Sequence, residues 1–512
     1  MSQEKNSLAS SFSWNTLTVV LQVVIQLAYT GLLARLVSKD SFMLMGIVLS
    51  IMGFAELFSQ VGVGPALIQR KEVNQQHING AFYTAVILGL TFTLLFIGLS
   101  GPIASFYELP ELKKIIMVVC TSFIISAVAV VPRSMMTKHM RFKTMFKASM
   151  ISIIGGNLIV GLTLAWFGYN VWAYVWALFT QNALMTFALW YYEPVKLTIK
   201  WEWKYTRELI RYGAGSTLFN ALNYLATKMD VMLVPRMLRG TGTEMSAIQK
   251  TLASYYERSS YAMTQPITVM GKLSDSVLFS GMSRMQDETE KLRKTILIAT
   301  NMLAIIILPL SIYIAFFADD IIGIWLGDDY LDAANILRIL FFAVIFRTLS
   351  KLGDSLLRAR DAVFRGSWFK AVYVILIATG IYLSMPYGME WVAGSIVFST
   401  FIHYLMNMYM CTSLIGISWK SLFLALLPSM KLGFMTLVLS AAVWFIRERT
   451  GLPHLITLLV GGVFVFGLIA ATVFLQPSTL GKRDINILCY LPDKIRKAGP
   501  LSRMMKKLDK MV

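Results

Sequence analysis

The stretch GAFYTAVILGLTFTLLFIGLSGPI, Gly80–Ile103, runs for 24 residues without one charged side chain. At a rise of about 1.5 Å per residue, a helix of that length crosses the hydrocarbon core of a bilayer, roughly 30 Å thick. Lipid, not water, is therefore its expected solvent. Apolar runs of similar length recur on both sides of it, and they predict fourteen spans: 12–36, 42–66, 80–103, 115–137, 146–167, 169–192, 209–234, 244–270, 296–318, 333–357, 368–385, 391–415, 422–446 and 454–475. The eighth is the least apolar, because Lys250, Glu257 and Arg258 fall inside it and must face protein or a wet cavity. Composition agrees with this reading: 56% of the 512 residues are hydrophobic and only 15% charged, against about 25% charged in soluble domains. Mean hydropathy is +0.63. The expected fold class is all-α, a polytopic membrane protein of about fourteen transmembrane helices.

Basic residues resist translocation, so the short loops report orientation. Loops on the side of the two termini hold 32 Lys and Arg, whereas the opposite loops hold 9. Both termini are thus expected in the cytoplasm. The opposite face carries an acidic loop, Asp319 to Asp332, with five Asp and no Lys or Arg. The expected organisation is a cytoplasmic tail (1–11), a lobe of six spans (12–192), a cytoplasmic linker (193–208), a second lobe (209–415), two further spans (416–475) and a basic cytoplasmic tail (476–512). The polar start from Met1 to Ser11 shows no cleavable signal peptide.

The net charge of +19 is explained mostly by this loop bias. Hydrophobic Ile495, Leu501, Met504, Met505 and Leu508 interleave with the tail's basic residues, which suits an interfacial segment touching anionic membrane lipid and argues against nucleic acid. Cys120, Cys411 and Cys489, like His77, His139, His403 and His454, are scattered without metal-ligand spacing, so neither a metal nor another cofactor is expected.

Sliding the chain by 201 positions superposes Arg35 on Arg236, Ile47 on Ile248, Glu56 on Glu257, Ser59 on Ser260, Pro65 on Pro266, Lys71 on Lys272 and Gly80 on Gly281. After six spans both halves start on the same side, so the repeat would be parallel, with its axis along the membrane normal. Ionisable residues at membrane depth cost several kcal/mol unless they meet a partner or a wet cavity, which makes them functional candidates. These are Glu56, Lys228, Asp230, Glu257, Arg258, Arg338, Arg347, Lys351 and Asp354. Adjacent residues on a helix point apart, so Glu257 and Arg258 are expected to need different neighbours. Arg347, Lys351, Asp354 and Arg358 are spaced by four, three and four, one face of the tenth span.

The runs LLARLVSKDSF (Leu32 to Phe42), FSQVGVGPALIQRKEV (Phe58 to Val73) and VPRSMMTKHMRFK (Val131 to Lys143) resemble the polysaccharide-transporter branch of the multidrug/oligosaccharidyl-lipid/polysaccharide exporter superfamily. So do NYLATKMDVMLV (Asn223 to Val234) and LFSGMSRMQDE (Leu278 to Glu288). The resemblance covers most of the first 365 residues. It implies a Wzx-like flippase of the colanic-acid type in a bacterial inner membrane, moving an undecaprenyl-pyrophosphate-linked oligosaccharide by alternating access during polysaccharide biosynthesis. Polysaccharide polymerase machinery is a partner that this reading brings with it. Cations near midplane would hold the pyrophosphate as it loses water: Arg35, Lys228, Arg258, Arg338, Arg347 and Lys351. Glu56, Asp230 and Glu257 are the candidates for a coupling H+ or Na+. The alternative is a drug or cation antiporter of the related multidrug branch, against which the excess of buried basic groups argues. An enzyme is not expected, since the longest outer loop is about 15 residues and no phosphate loop or nucleophile elbow is present.

Overall fold

The computed structural model describes residues 2–59, 63–70, 73–198, 203–238, 245–274, 282, 285–360, 362–451 and 453–475. The basic tail over 476–512 and most of the loop from Leu278 to Arg284 lie outside these. Helix is the only regular structure among the described residues, and no strand occurs among them. Hydrocarbon offers no partner to a backbone N–H or C=O, so each segment satisfies its own.

Ten helices among the described residues are long and apolar enough to cross a bilayer, against the fourteen spans expected. The expected sixth, seventh, eighth and twelfth spans fall on helices of 22, 36, 28 and 27 residues, which have the length. Their apolarity is diluted by residues such as Gln181 and Asn182, Lys228 and Asp230, Glu257 and Arg258, and His403 and Asn407. Polar side chains at such depth must be met inside the protein.

The chain divides into two compact units. One comprises Ser13–Arg258 with Lys370–Met389. Its helices are α1 (Ser2–Ala34), α2 (Lys39–Ser59), α3 (Val63–Gln69), α4 (Gln75–Tyr107), α5 (Pro110–Val119), α6 (Ser122–Lys138), α7 (Phe142–Ile153), α8 (Leu162–Trp166), α9 (Val171–Tyr192), α10 (Trp203–Leu238) and the start of α11 (Ala247–Ser274). The uncharged stretch Gly80–Ile103 lies within α4. That helix begins at a capping box: the Asn74 side chain accepts from the His77 N–H at 3.0 Å, and His77 Nδ1 accepts from the Asn74 N–H at 3.4 Å. Its inner face meets α3 and α6 through Leu67, Ala81 and Val131, all fully buried.

Between α7 and α8 the fifth span widens into a π-helix, Ile154–Gly161. Two of its glycines let α9 approach: a Cβ on Gly156 would lie 2.7 Å from the Ala177 carbonyl oxygen, and one on Gly161 would lie 2.9 Å from Ala177 Cβ. Small residues permit this closeness where lipid gives no hydrophobic drive between helices. Asn157, buried in this segment, donates to Gln26 Oε1 of α1 at 2.9 Å.

The other unit takes in the start of α1 up to Phe12, Ser259–Phe369 and the described residues from Glu390 onward. It holds α12 (Thr289–Phe316), α13 (Ala318–Leu326), α14 (Ala333–Ala359), α16 (Met389–Ile415), α17 (Trp419–Thr450) and α18 (His454–Leu475), while α15 (Val363–Ser384) passes from this unit to the first. Its core joins Leu292 and Ile296 of α12, Leu349, Leu352 and Leu356 of α14, and Met408 and Cys411 of α16. Gly433 brings α17 against α12, where a Cβ would stand 2.9 Å from Ile312 Cδ1. Arg447 at the end of α17 donates to both carboxylate oxygens of the buried Asp320 at 2.8 Å, tying α17 to α13.

Candidate functional site

The first unit gathers charge around one arginine. Arg258 on α11 is 1% exposed, one of the largest fully buried side chains described. Its guanidinium carbon sits 4.3 Å from the centroid of the Phe42 ring of α2, a cation–π contact in a dry setting. Phe42 in turn meets Tyr174 of α9 edge-on at 6.5 Å, and Tyr174 meets Tyr29 of α1 at 6.1 Å. Tyr174 also lies within electrostatic reach of both Arg258 and Glu257. Aromatic residues from three helices thus wall in the cation.

Its carboxylate partner is Glu257, the adjacent residue. This corrects the expectation that the two point to different neighbours. Helix geometry separates adjacent Cβ atoms, but an arginine has enough stem to swing its head back to a neighbouring carboxylate. Glu257 is itself 8% exposed and feels Lys228 of α10 as a second cation. On the next turns, Asp230, 1% exposed, accepts a hydrogen bond of 2.9 Å from the Tyr256 hydroxyl. Lys228, Glu257 and Arg258 therefore come together, with Asp230 linked to the neighbouring residue of α11, Tyr256. Toward the beginnings of α2 and α11, Lys39 donates to the Tyr255 hydroxyl at 3.1 Å and Lys250 approaches Asp40 at 3.6 Å.

Two glycines of α2 make this approach possible. A Cβ on Gly46 would lie 2.5 Å from Glu257 Cγ, and one on Gly53 would lie 2.2 Å from the Tyr224 hydroxyl of α10. That hydroxyl donates to the Leu49 carbonyl at 3.2 Å. Half-buried Glu56, one turn on, has Arg133 of α6 and Tyr224 within electrostatic reach. Neither glycine stands out in sequence, because each is one small residue in an apolar run.

Magnitudes say that such a cluster is not kept for stability. Taking a carboxylate or guanidinium out of water costs several kcal/mol even after relaxation. Two charges about 4 Å apart return only about 4 kcal/mol at an effective dielectric constant of 20. The pair roughly breaks even, whereas an apolar pair of the same volume would cost nothing of the kind.

Lys370, at the start of the expected eleventh span, is a buried charge that was not among the candidates read from the sequence. It lies on α15, is 2% exposed, donates to Asn223 Oδ1 of α10 at 3.0 Å and stands 5.0 Å from the Phe219 ring centroid. Gly366 and Ser367, four and three residues before it and both buried, share its face of the helix.

The other candidates lie apart from that cluster in the chain. Arg35 is exposed just past the end of α1. Arg338 on α14 is ion-paired with Asp319, bonded to Asn335, and donates from Nε to the Ala315 carbonyl at 3.1 Å. Farther along α14, Arg347 is 5% exposed, Lys351 is half-buried and Asp354 is 5% exposed. Asn407 of α16 donates to Asp354 at 3.2 Å and to the Ser350 carbonyl at 3.0 Å, in space that Gly353 leaves open.

The sequence profile of a family described as "Polysaccharide biosynthesis protein" matches residues 32–335, more than half of the chain. The chain belongs to this family. Among similar proteins, the lipopolysaccharide biosynthesis protein WzxC of Escherichia coli is 22% identical over 449 residues, which make up 86% of this chain and 88% of the relative. The teichuronic acid biosynthesis protein TuaB of Bacillus subtilis is 23% identical over 387 residues, 74% of this chain and 77% of that one. Among solved structures, the lipid II flippase MurJ in an inward closed conformation superposes with a TM-score of 0.66 at 14% identity, covering 91% of this chain and 98% of MurJ. An inward-facing MATE-family multidrug transporter superposes with a TM-score of 0.63 at 15% identity, covering 77% and 94%. Identities this low speak for a shared fold, and the family's polytopic all-α architecture is that of the MurJ and MATE structures.

Proposed function

We propose that this multi-pass membrane protein is a flippase that carries an undecaprenyl-pyrophosphate-linked oligosaccharide across a bacterial inner membrane by alternating access, with both termini in the cytoplasm. The observation that carries the reading is the buried cluster of Lys228, Glu257 and Arg258 on membrane-depth helices. A pyrophosphate moving through hydrocarbon must exchange its water for fixed donors, and a guanidinium already stripped of water and stacked on Phe42 presents them at little further cost.

Glu257 gives the cluster a second state. With no substrate bound it neutralises Arg258. An arriving pyrophosphate competes for the same donors and leaves Glu257 as a surplus negative charge, which a H+ or Na+ can neutralise. Substrate and ion are then coupled because they answer to one arginine. Arg347 and Lys351 would form a further station for the headgroup on α14, with Arg35 nearer the outer boundary, while Arg338, engaged by Asp319 and the Ala315 carbonyl, serves the architecture of that end. The protein does no bond chemistry in this scheme, and a polysaccharide polymerase would take the product.

The test is a deletion strain in which the lipid-linked oligosaccharide of the cytoplasmic leaflet is quantified by mass spectrometry and surface glycan is measured. Wild-type protein is expected to clear the intermediate. R258Q is expected to leave it accumulated, and E257Q to move it without dependence on the ion gradient. Normal surface glycan from an R258Q and K228Q double variant would sink the proposal.

A further inference from the structure

Arg236 is the repeat partner of Arg35 and takes no part in the cluster around Arg258. It lines a groove of about 530 Å³ at the ends of α10 and α15, together with Tyr382, Leu383, Pro386, Tyr387 and two methionines. Helices α10 and α15 hold the expected seventh and eleventh spans, and both run toward the face opposite the termini. The groove therefore opens at the outer boundary of the membrane in the orientation proposed above.

Its lining combines three properties. Tyr382 and Tyr387 are 69% and 73% exposed, so neither ring is packed within the protein. The 3₁₀ turn Met385–Tyr387 carries the second ring to the groove, and the chain leaves it through Gly388, whose φ of +105° suits glycine alone. Arg236 is half-buried and makes a cation–π contact with Phe106 of α4, 5.2 Å from the ring centroid. A guanidinium has five N–H donors, more than one ring contact can engage. Among the described residues no carboxylate pairs with Arg236.

A flat apolar surface next to a planar cation matches an acidic sugar. The C–H face of a pyranose packs on an aromatic ring, its hydroxyls meet phenol oxygens, and a ring carboxylate takes two parallel N–H bonds from arginine. A phospholipid headgroup would satisfy the charge but has no flat apolar face for two tyrosines and a proline. The volume falls within the roughly 300–1,000 Å³ usual for small-molecule sites.

We propose that the groove of Arg236, Tyr382 and Tyr387 is an extracytoplasmic docking site for a uronic-acid residue, or a sugar of like charge, in the transported glycan. The inference rests on the flippase reading for its biological role, since a hold on the emerged glycan would oppose its return. It does not rest on that reading for its chemistry.

The test uses the full chain in phosphatidylcholine nanodiscs and two soluble probes, a glucuronosyl-glucose disaccharide and its neutral carboxyl-reduced counterpart, read by saturation-transfer NMR titration. The acidic disaccharide is expected to bind at least about ten-fold more tightly than the neutral one, the scale of a charge-assisted bidentate pair. R236Q should bring the two probes to the same affinity, and Y387A should weaken both. Equal binding of the two probes to the wild-type chain overturns the proposal without any variant, as does R236Q that binds like wild type. Repeating the titration with phosphatidylglycerol in the nanodisc provides the lipid arm. Loss of sugar binding there, with phosphatidylglycerol retained by wild type and not by R236Q, makes the groove a lipid headgroup site and likewise overturns it. Because the probes carry no lipid, failure here leaves the R258Q export test standing, and failure of that test leaves this one standing.

Discussion

Arg258 and Arg338 are arginines on membrane-depth helices, one in each compact unit, and they are held in opposite ways. Arg258 is sealed at 1% exposure against Phe42, with its carboxylate one residue away on the same helix. Arg338 has a side chain 37% exposed and pairs with Asp319 in the first turn of α13, while its Nε bonds a helix-end carbonyl. The first holds charge where charge is expensive, and the second fastens a short helix at a partly exposed site. A cation in a span earns a functional reading from the depth and mobility of its partner, not from its own presence.

The comparison can be broken most readily at Arg258. R258A leaves Glu257 buried beside Lys228 alone, so a loss of about 3–5 kcal/mol of stability is expected, with export falling to background. Thermal unfolding in nanodiscs and surface-glycan staining measure the two. Stability and function separate in the double variant R258M and E257Q, which removes both charges. Unfolding should return to within about 1–2 kcal/mol of wild type, because replacing a whole buried pair is nearly neutral, while export stays absent. Recovery of export in that variant would show that the pair is architectural.

A smaller effect is expected at Gly46, whose missing side chain leaves room for Glu257. G46A should cost about 1–3 kcal/mol, as overpacking does, and slow export without abolishing it. At Arg338 the expected change is the smallest. R338Q removes a partly exposed ion pair worth about 0–1 kcal/mol, and export should stay near wild type in the same staining assay. An R338Q variant as defective as R258A would erase the distinction between the two arginines.

Most of the helices were legible along the chain. The uncharged run of α4 needs no tertiary information to be read as a span, since backbone satisfaction in lipid leaves helix as the one solution for a single segment. Helices α9, α10, α11 and α16 were legible only through their length and the flanking loops, because their polar residues pull them below the apolarity of a lipid-facing helix. Of the candidate site, Lys228, Asp230, Glu257 and Arg258 could be named from their cost at membrane depth. Their mutual arrangement could not, and the pairing of Glu257 with Arg258 ran against the helical-wheel expectation. Lys370 escaped altogether, since a lysine at the start of a span resembles the many that sit in headgroups.

By itself, then, the sequence determined that this chain lives in lipid, which stretches of it form long apolar helices, and which charges have to be accounted for. All of these follow from local composition, because transfer into hydrocarbon is a sum over neighbouring residues. Tertiary structure alone decided which charge answers which: Gly46 and Gly53 admit α10 and α11 to α2, and Phe42 and Tyr174 close over Arg258. Such choices depend on distances between segments far apart in the chain, and a single sequence carries no measure of those.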